Sequence, residues 1–294
     1  MDRDSILTII VPCYNEEESL PVVLPELLEY SNERNWKVII INDGSTDSTE
    51  KILNSFIEEI NFKLINHKIN KGYGGALKTA IKNVDTEYLI SIDADGQHYL
   101  EDIDMLLKKL KEENADMVVG SRKEIKSTDA YRSSGKWIIR KISRMLVKTN
   151  VYDINSGMKI CRADLAKKYL NLLPDSMAFS DILTLIFSAQ QNHVIEEPIR
   201  IKKRIAGKST IGLNTAFDTV MEVLNIVMLF NPIKIFLPVS IIFCLLGIGW
   251  GLPIIFAGRG VSVGAAMLII MGVMTFLLGL IAEQLSMLRK KAND

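Results

Sequence analysis

The first 210 residues alternate short apolar runs, rich in β-branched side chains, with longer stretches whose apolar positions recur at helical spacing. The runs predict strands and the stretches predict amphipathic helices. The predicted strands are Leu7–Val11, Trp36–Ile41, Phe62–Ile65, Glu87–Ile92 and Asp116–Val119, and the predicted helices are Glu18–Arg34, Ser48–Glu59, Gly75–Val84 and Tyr99–Asn114. This alternating order predicts an α/β domain with a mostly parallel sheet covered by helices on both faces.

The pattern changes from Ile233 onward, where two apolar segments follow each other. Ile233–Phe256 contains one charge, Lys234, and its 24 residues would span roughly 36 Å as a helix. Ser262–Ala282 contains 21 residues and no charge. Both exceed what a hydrocarbon core of about 30 Å requires, and only the short connector AGRGV separates them. A transmembrane hairpin is therefore predicted, in preference to a buried helical pair.

Basic residues flank this hairpin unevenly. The connector holds only Arg259, whereas the flanking segments hold Lys202, Lys203, Arg204, Lys208 and Lys234 on one side and Arg289, Lys290 and Lys291 on the other. The positive-inside rule then predicts that both termini are cytoplasmic. The N-terminal segment lacks the long apolar core of a signal peptide. We expect an integral protein of the cell (plasma) membrane.

The predicted organisation has four parts. Residues 1–210 form the cytoplasmic α/β domain and residues 211–232 a juxtamembrane helix. Within that helix, Leu213–Phe230 is amphipathic and is expected to lie in the membrane interface. Residues 233–288 form the hairpin, with helices at about 233–256 and 262–285, and residues 289–294 form a cytoplasmic tail.

Composition excludes some partners and sites. The chain has 35 basic and 35 acidic residues, so no bulk charge favours nucleic acid. Its three cysteines are far apart and predict no disulfide framework. The histidines His67, His98 and His193 share no metal-ligand spacing, and a structural role is predicted for each.

Two carboxylates follow the fourth predicted strand, in the run EYLISIDADGQH. If the extended backbone continues for one step, Asp93 and Asp95 project to the same side. Hard oxygen ligands suit Mg²⁺ or Mn²⁺, and such an ion completes its shell with water and substrate phosphate. The sequence therefore predicts a metal-assisted diphosphate site.

Polar residues also follow the first, second and fifth predicted strands. Ligands of parallel α/β sheets bind beyond the carboxyl ends of the strands. Asp43, after the second strand, could accept a hydrogen bond from a ribose hydroxyl or a base N–H. The remaining polar residues at these ends are Asn15, Glu16, Asn42, Ser121 and Arg122.

The ordered motifs PCYNE, NDGSTDST, NKGYGGA, DADGQH, GSR, INSGMKICR and RIAGKST, followed by a hairpin, resemble the polyprenol-phosphate glycosyltransferases. These inverting enzymes include dolichol-phosphate mannose synthase and the bacterial undecaprenyl-phosphate glucosyltransferases. The resemblance covers essentially the whole chain, including a terminal GLIAEQLSMLR in which Glu283 matches the glutamate of the family's ending. It implies a GT-A domain, which is Rossmann-like with a mostly parallel sheet, before the membrane hairpin.

The resemblance also implies roles for individual residues. The nucleotide-sugar would be bound by Pro12, Tyr14, Asn15, Glu16, Asp43, Lys71, Asp93, Ala94 and Asp95. A metal, Mg²⁺ or Mn²⁺, would be held by Asp93, Asp95 and Gln97. The acceptor phosphate would be met by Arg132, Ser156, Lys159, Lys208 and Ser209. Direct catalytic contributions are expected from Asp95, Arg122, Arg204 and Ser156. Lys159 stands where the family often has arginine, and Asp181 is expected to be positioning or structural.

The implied activity transfers a monosaccharide from a UDP- or GDP-sugar to undecaprenyl or dolichyl phosphate, with inversion. An ionised phosphate needs no general base, so the protein must align two anions and neutralise them. The alternative within the fold is transfer to a hydroxyl acceptor such as a lipid-linked saccharide. From another class, the alternative is a non-catalytic membrane scaffold or a lipid-sugar flippase component. The sequence leaves the sugar, the pathway and a homo-oligomeric state open.

Overall fold

The structure is a computed structural model that describes residues 5–122, 151–202 and 231–293, together with positions 221, 224, 227 and 228. Side chains are described up to residue 288. The chain divides into two compact units, Met1–Glu222 and Val223–Asp294.

In its described part, the first unit contains one seven-stranded sheet, in the order β3-β2-β1-β4-β6-β5-β7. The strands are β1 (Leu7–Cys13), β2 (Lys37–Asn42), β3 (Phe62–Asn66), β4 (Tyr88–Ser91), β5 (Met117–Ser121), β6 (Lys159–Arg162) and β7 (Val194–Pro198). β6 runs antiparallel to β4 and β5, and the other pairs are parallel. The mostly parallel sheet and its first five strands are confirmed, whereas β6 and β7 had no predicted counterpart.

Helices connect these strands. They are α1 (Leu20–Glu33), α2 (Thr49–Asn54), α3 (Gly72–Asn83), α4 (Glu101–Glu112), α5 (Ala163–Lys168) and α6 (Phe179–Ala189), with a 3-10 turn at Leu170–Leu172. The four predicted helices are confirmed, although α2 ends at Asn54 and is shorter than the predicted Ser48–Glu59. α3 begins earlier than predicted because its glycines let the backbone approach another segment. A Cβ at Gly74 would lie 2.3 Å from the carbonyl oxygen of Pro174.

The core forms where apolar strands meet the apolar faces of the helices. β1 and β2 are buried almost throughout, as expected of parallel strands covered on both faces. In α4, Ile103, Leu106 and Leu110 are buried at helical spacing, and most of its charged residues lie on the other face; Asp102 is buried and accepts hydrogen bonds from Arg200. Each such buried aliphatic side chain contributes about 1.5–3 kcal/mol.

Strand register brings the polar loops to one edge. Cys13 at the end of β1 pairs with Asn42 at the end of β2, which pairs with Asn66 at the end of β3. On its other side, β1 is paired with β4. Strand order therefore reverses between β1 and β4, and this reversal is where open α/β sheets form a ligand crevice.

The second unit contains α7 (Ile233–Phe256) and α8 (Val263–Asn293), which pack together as a hairpin. Glycines allow close contact: a Cβ at Gly279 would lie 2.6 Å from that of Phe236. With mean hydropathies of 2.3 and 2.5, both helices are long and apolar enough to cross a membrane. Most of the predicted juxtamembrane helix lies outside the described residues, although positions 221, 224, 227 and 228 are helical.

Candidate active site

The acidic loop begins where β4 ends. The backbone N–H of Ile92 still donates to a β1 carbonyl at 3.1 Å, so extended pairing continues one residue past the strand. The chain then turns at Gly96, whose φ of +72° favours glycine. Inside this turn, the backbone N–H of Gln97 donates to Asp95 Oδ1 at 3.1 Å. A tight turn therefore holds Asp95 in place.

Asp93 has three polar neighbours. The Tyr73 hydroxyl donates to its Oδ1 at 3.2 Å, and His98 Nε2 lies 3.7 Å from its Oδ2. Burial raises the pKa of Asp93, but His98, Tyr73 and Arg122 outweigh that effect and hold it below its usual value. A Cβ at Gly157 would lie 2.4 Å from Oδ2, so only glycine leaves that oxygen room. Asp93 is therefore an ionised carboxylate at neutral pH.

These residues fit a hard divalent cation. Two carboxylates, Asp93 and Asp95, lie on one loop, and Gln97 belongs to the same turn. Within the described ranges, no group of three or more His, Cys, Asp or Glu side chains gathers to form a complete shell. An incomplete oxygen shell is what Mg²⁺ or Mn²⁺ accepts when phosphate and water supply the rest.

A second acidic position lies after β2. The backbone N–H of Asp43 donates to the carbonyl of Cys13 at 2.8 Å, which ties the loop after β2 to β1. Asp43 Oδ1 accepts hydrogen bonds from His67 Nδ1 at 2.6 Å and from the backbone N–H of Lys71 at 2.9 Å. Two predicted nucleotide residues, Asp43 and Lys71, are thus in direct contact. His67, for which only a structural role was predicted, joins them.

The loop after β1 is joined to the loop after β2. Asn15, with a φ of +54°, accepts from the backbone N–H of Thr46 at 2.8 Å, and the backbone N–H of Glu16 donates to the Thr49 hydroxyl at 2.8 Å. Tyr14 is exposed between them. The structure gathers here four predicted nucleotide-sugar residues: Pro12, Tyr14, Asn15 and Glu16.

Arg122, after β5, is engaged by a carboxylate that the sequence analysis missed. Its Nε and Nη2 donate to Asp153 at 2.7 and 2.9 Å, and Nη2 also donates to the carbonyl of Asn155 at 2.8 Å. Nη1 has no hydrogen-bond partner among the described residues, and the side chain is 37% exposed. Nη1 could donate to a phosphate, whereas the edge formed by Nε and Nη2 already binds Asp153. The missed signal was the Asp at the start of DINSG.

Lys159 and Ser156, both predicted to meet the acceptor phosphate, are buried in this structure. Lys159, in β6, is 1% exposed, and its ammonium donates to Ile154 O at 2.7 Å, to Ser180 Oγ at 2.7 Å and to Ser180 O. Three protein oxygens account for its three hydrogens, so none remains for a phosphate. Ser156 is fully buried, and its hydroxyl contacts the backbone of Met158. In this structure both side chains are thus engaged by the protein itself, and their predicted contacts with the acceptor phosphate stay predictions.

The other predicted residues have mixed outcomes. Ala94 is buried within the acidic loop, and Asp181 is buried in the first turn of α6. The positioning or structural role of Asp181 stays a prediction. The remaining phosphate candidates lie outside the described residues: Arg132, Arg204, Lys208 and Ser209.

The reversal of strand order at β1, the antiparallel β6 between β4 and β5, and the acidic loop after β4 define a GT-A type of glycosyltransferase domain. Residues 8–170, more than half of the chain, match the model of "Glycosyl transferase family 2". The chain belongs to this family and is a glycosyltransferase. Residues 231–288 match the "GtrB C-terminal hairpin". The predicted family is confirmed, and the scaffold alternative loses its support.

The chain is also similar in sequence to individual glycosyltransferases. The chain is 30% identical over 210 residues to a dolichyl-phosphate beta-glucosyltransferase of Dictyostelium discoideum, covering 65% of this chain and 64% of that one. It is 35% identical over 128 residues to dolichyl-phosphate beta-glucosyltransferase ALG5A of Trichomonas vaginalis, covering 40% of each. The chain thus spans less than two thirds of the length of either relative.

A solved structure has the same fold. Glucosyl-3-phosphoglycerate synthase from Mycobacterium tuberculosis, in complex with Mn²⁺, UDP and phosphoglyceric acid, superposes with a TM-score of 0.57. The identity is 16%, and the match covers 76% of this chain and 78% of that one. At this identity, the likeness concerns the fold alone.

Proposed function

We propose that this glycosyltransferase moves a monosaccharide from a nucleoside-diphosphate sugar to the phosphate of a polyprenyl phosphate, with inversion. The observation that carries the proposal is that Asp43 follows β2 and Asp93 and Asp95 follow β4, the two strands on either side of β1, in a chain that also contains the apolar hairpin. The named relatives act on dolichyl phosphate and glucose, so UDP-glucose is the first donor to test.

On the donor side, Asp43 would accept a hydrogen bond from the nucleoside, and Asp93 with Asp95 would hold Mg²⁺ or Mn²⁺. When bound, the cation supplies positive charge that stabilises the leaving diphosphate. The protein keeps Asp93 ionised through His98 and Tyr73, and Gly157 keeps its Oδ2 accessible.

On the acceptor side, an oxygen of the lipid phosphate would attack the anomeric carbon as the bond from that carbon to the diphosphate oxygen breaks. The bonding electrons leave with the nucleoside diphosphate, and configuration inverts. An ionised phosphate has no proton to lose, so no general base is required. A hydroxyl acceptor would need a general base. Asp181 lies in the region where relatives that use hydroxyl acceptors have a catalytic acid, and its side chain is buried. Arg122 could reduce the repulsion between the two anions through Nη1.

The hairpin would fix the enzyme in the membrane that contains its lipid acceptor. We propose that α7 and α8 span the bilayer with both termini cytoplasmic, because the flanking segments contain the positive charges. The two helices would anchor the enzyme and bring it to its acceptor.

The test is a transfer assay with purified full-length protein in detergent. UDP- and GDP-sugars are offered with Mn²⁺ or Mg²⁺, using a short polyprenyl phosphate, the matching polyprenol or a lipid-linked saccharide as acceptor. We expect one donor to give a polyprenyl-phosphate sugar and the polyprenol to give no product. Transfer to the lipid-linked saccharide in place of the polyprenyl phosphate would overturn the proposal.

A further inference from the structure

A buried histidine lies directly behind the nucleoside carboxylate. His67 follows β3 and Asp43 follows β2, and each side chain is 4% exposed. Nδ1 lies 2.6 Å from Asp43 Oδ1. We assign Nδ1 as the donor and the carboxylate oxygen as the acceptor of this hydrogen bond.

The other end of the imidazole ring is also fixed. His67 Nε2 lies 2.9 Å from the hydroxyl of Thr79, on α3, and that hydroxyl lies 3.0 Å from the carbonyl of Gly75 one turn earlier. The backbone N–H of His67 donates to the carbonyl of Asn42 at 2.9 Å. Contacts from β2 and α3 therefore set both the position and the rotation of the ring.

The surrounding backbone leaves this loop little freedom. Gly44 has a φ of +69°, and a Cβ there would lie 2.8 Å from the backbone N of Asn70. The loops after β2 and β3 thus contact each other through backbone as well as through the His67–Asp43 hydrogen bond. Movement of His67 would be transmitted to Asp43 because little free space separates them.

The two carboxylate oxygens of Asp43 have different surroundings. Oδ1 accepts two hydrogen bonds, from His67 and from the Lys71 backbone N–H. Oδ2 accepts none from a described residue. This asymmetry fixes the plane of the carboxylate and leaves one oxygen as an acceptor for a ligand donor.

We propose that His67 is a positioning residue for the donor nucleotide, which holds Asp43 so that Oδ2 accepts an N–H or O–H of the nucleoside. The inference rests on the proposed function in taking Asp43 as the nucleoside contact. The group recognised is a hydrogen-bond donor, such as the imide N–H of a base or a ribose hydroxyl.

Two substitutions separate this role from a merely structural one. In His67→Asn, the side-chain amide can occupy the position of Nδ1 and still donate to Asp43. In His67→Gln, the longer amide reaches the position of Nε2 and retains the Thr79 contact instead. Thr86→Val is the matched control, because it removes a buried 2.7 Å hydroxyl pair with Thr8 at the opposite end of the sheet.

The measurements are calorimetric binding of UDP, with GDP in parallel, and steady-state transfer by the full-length protein. We expect His67→Gln to raise the Kd for the nucleotide and the KM for its sugar donor about tenfold, as for loss of one hydrogen bond. The kcat and the KM for polyprenyl phosphate should change less than about twofold. His67→Asn and Thr86→Val should bind nucleotide within about threefold of wild type.

Two outcomes would overturn the inference. In the first, both His67 variants bind nucleotide as wild type does. In the second, His67→Asn and His67→Gln weaken nucleotide binding equally, and the loss follows a lowered melting temperature of each variant. If the proposed acceptor is wrong, the result is different: nucleotide binding still depends on His67, but no sugar is transferred to polyprenyl phosphate.

Discussion

Replacing Lys159 by methionine distinguishes a buried support from a phosphate ligand. The ammonium donates to Ile154 and to both oxygens of Ser180, so it joins the DINSG turn to the first turn of α6. Methionine has a similar length but cannot donate, and it leaves those oxygens without their shared partner.

The magnitude follows from two opposing effects. Lost charge-assisted hydrogen bonds cost about 1.5–3 kcal/mol each, and buried acceptors left without a donor add to this cost. In the other direction, burial lowers the pKa of Lys159 from 10.5 to about 8, although Asp181 and Asp153 raise it. That shift corresponds to about 3 kcal/mol that the buried charge costs at neutral pH. We expect a net destabilisation of about 2–4 kcal/mol, or a melting temperature lower by roughly 5–15 °C.

The pH dependence has a definite sign. Between pH 8 and 10.5 the unfolded chain holds a proton on Lys159 that the folded chain has released, so wild-type stability rises with pH. The variant lacks this group. The stability difference between wild type and Lys159→Met should therefore grow by about 2 kcal/mol from pH 7 to pH 9.5.

The assay is thermal and denaturant unfolding of full-length protein in detergent, with transfer activity measured well below the melting temperature. Lys63→Met is the control, since Lys63 is exposed and its ammonium donates to Asn83 Oδ1 at 2.8 Å; it should change stability by less than about 0.5 kcal/mol. A Lys159→Met protein as stable as wild type, but inactive and with weakened acceptor binding, would refute our reasoning and restore the phosphate contact.

Three further predictions concern the metal site and the hairpin. Asp95→Asn should abolish detectable Mn²⁺ binding by electron paramagnetic resonance and reduce transfer at least a hundredfold; unchanged Mn²⁺ binding would remove Asp95 from the metal site. Tyr73→Phe loses the hydrogen bond to Asp93 Oδ1 and should weaken Mn²⁺ affinity about tenfold, an effect that an unaltered titration would contradict. The backbone N–H of Ile233, the first residue of α7, donates to Glu283 Oε2 at 3.4 Å. Glu283→Ala removes this acceptor and should destabilise the hairpin by about 1 kcal/mol in detergent unfolding; an equal loss of stability in Gln284→Ala would argue against this role.

Local pattern predicted much of the fold, but it did not predict sheet order. The runs that form β1 to β5 are apolar and bounded by turn residues, so periodicity alone identifies them. β6 is a short strand in KICR, a segment that was read only as a motif, and its position between β4 and β5 depends on long-range pairing. α7 has the same bounds as the predicted first membrane segment. The hydropathy of such a segment is high along its whole length, so its ends are easy to locate in the sequence.

The sequence predicted those site residues whose type and place after a strand indicate their role. The carboxylates Asp93 and Asp95 come directly after a strand, and the register of β1 and β4 decides the rest. Whether a basic side chain faces solvent or protein is not encoded in its type. Lys159 is buried against Ser180, and Arg122 is paired with Asp153. Both partners lie in other segments of the chain, so local sequence does not reveal these contacts. Similarly, His67 lacks ligand spacing, and its importance arises only where the loops after β2 and β3 meet.

Charge balance at the site argues for the role of a cation. Several carboxylates lie at this edge of the sheet or in the segments that contact it: Asp43, Asp93, Asp95, Asp153 and Asp181. Two buried or partly buried cations, Arg122 and Lys159, lie among them. Both cations already contact protein oxygens. A nucleoside diphosphate and a lipid phosphate would add several negative charges beside these carboxylates, and the mutual repulsion of the anions would oppose binding. Divalent metal can supply the missing charge, and so can basic residues from the two segments outside the described ranges, which contain Arg132, Arg204 and Lys208. We therefore expect chelation to weaken binding of the diphosphate far more than binding of the free nucleoside; equal effects on both would mean that the metal is not compensating phosphate charge.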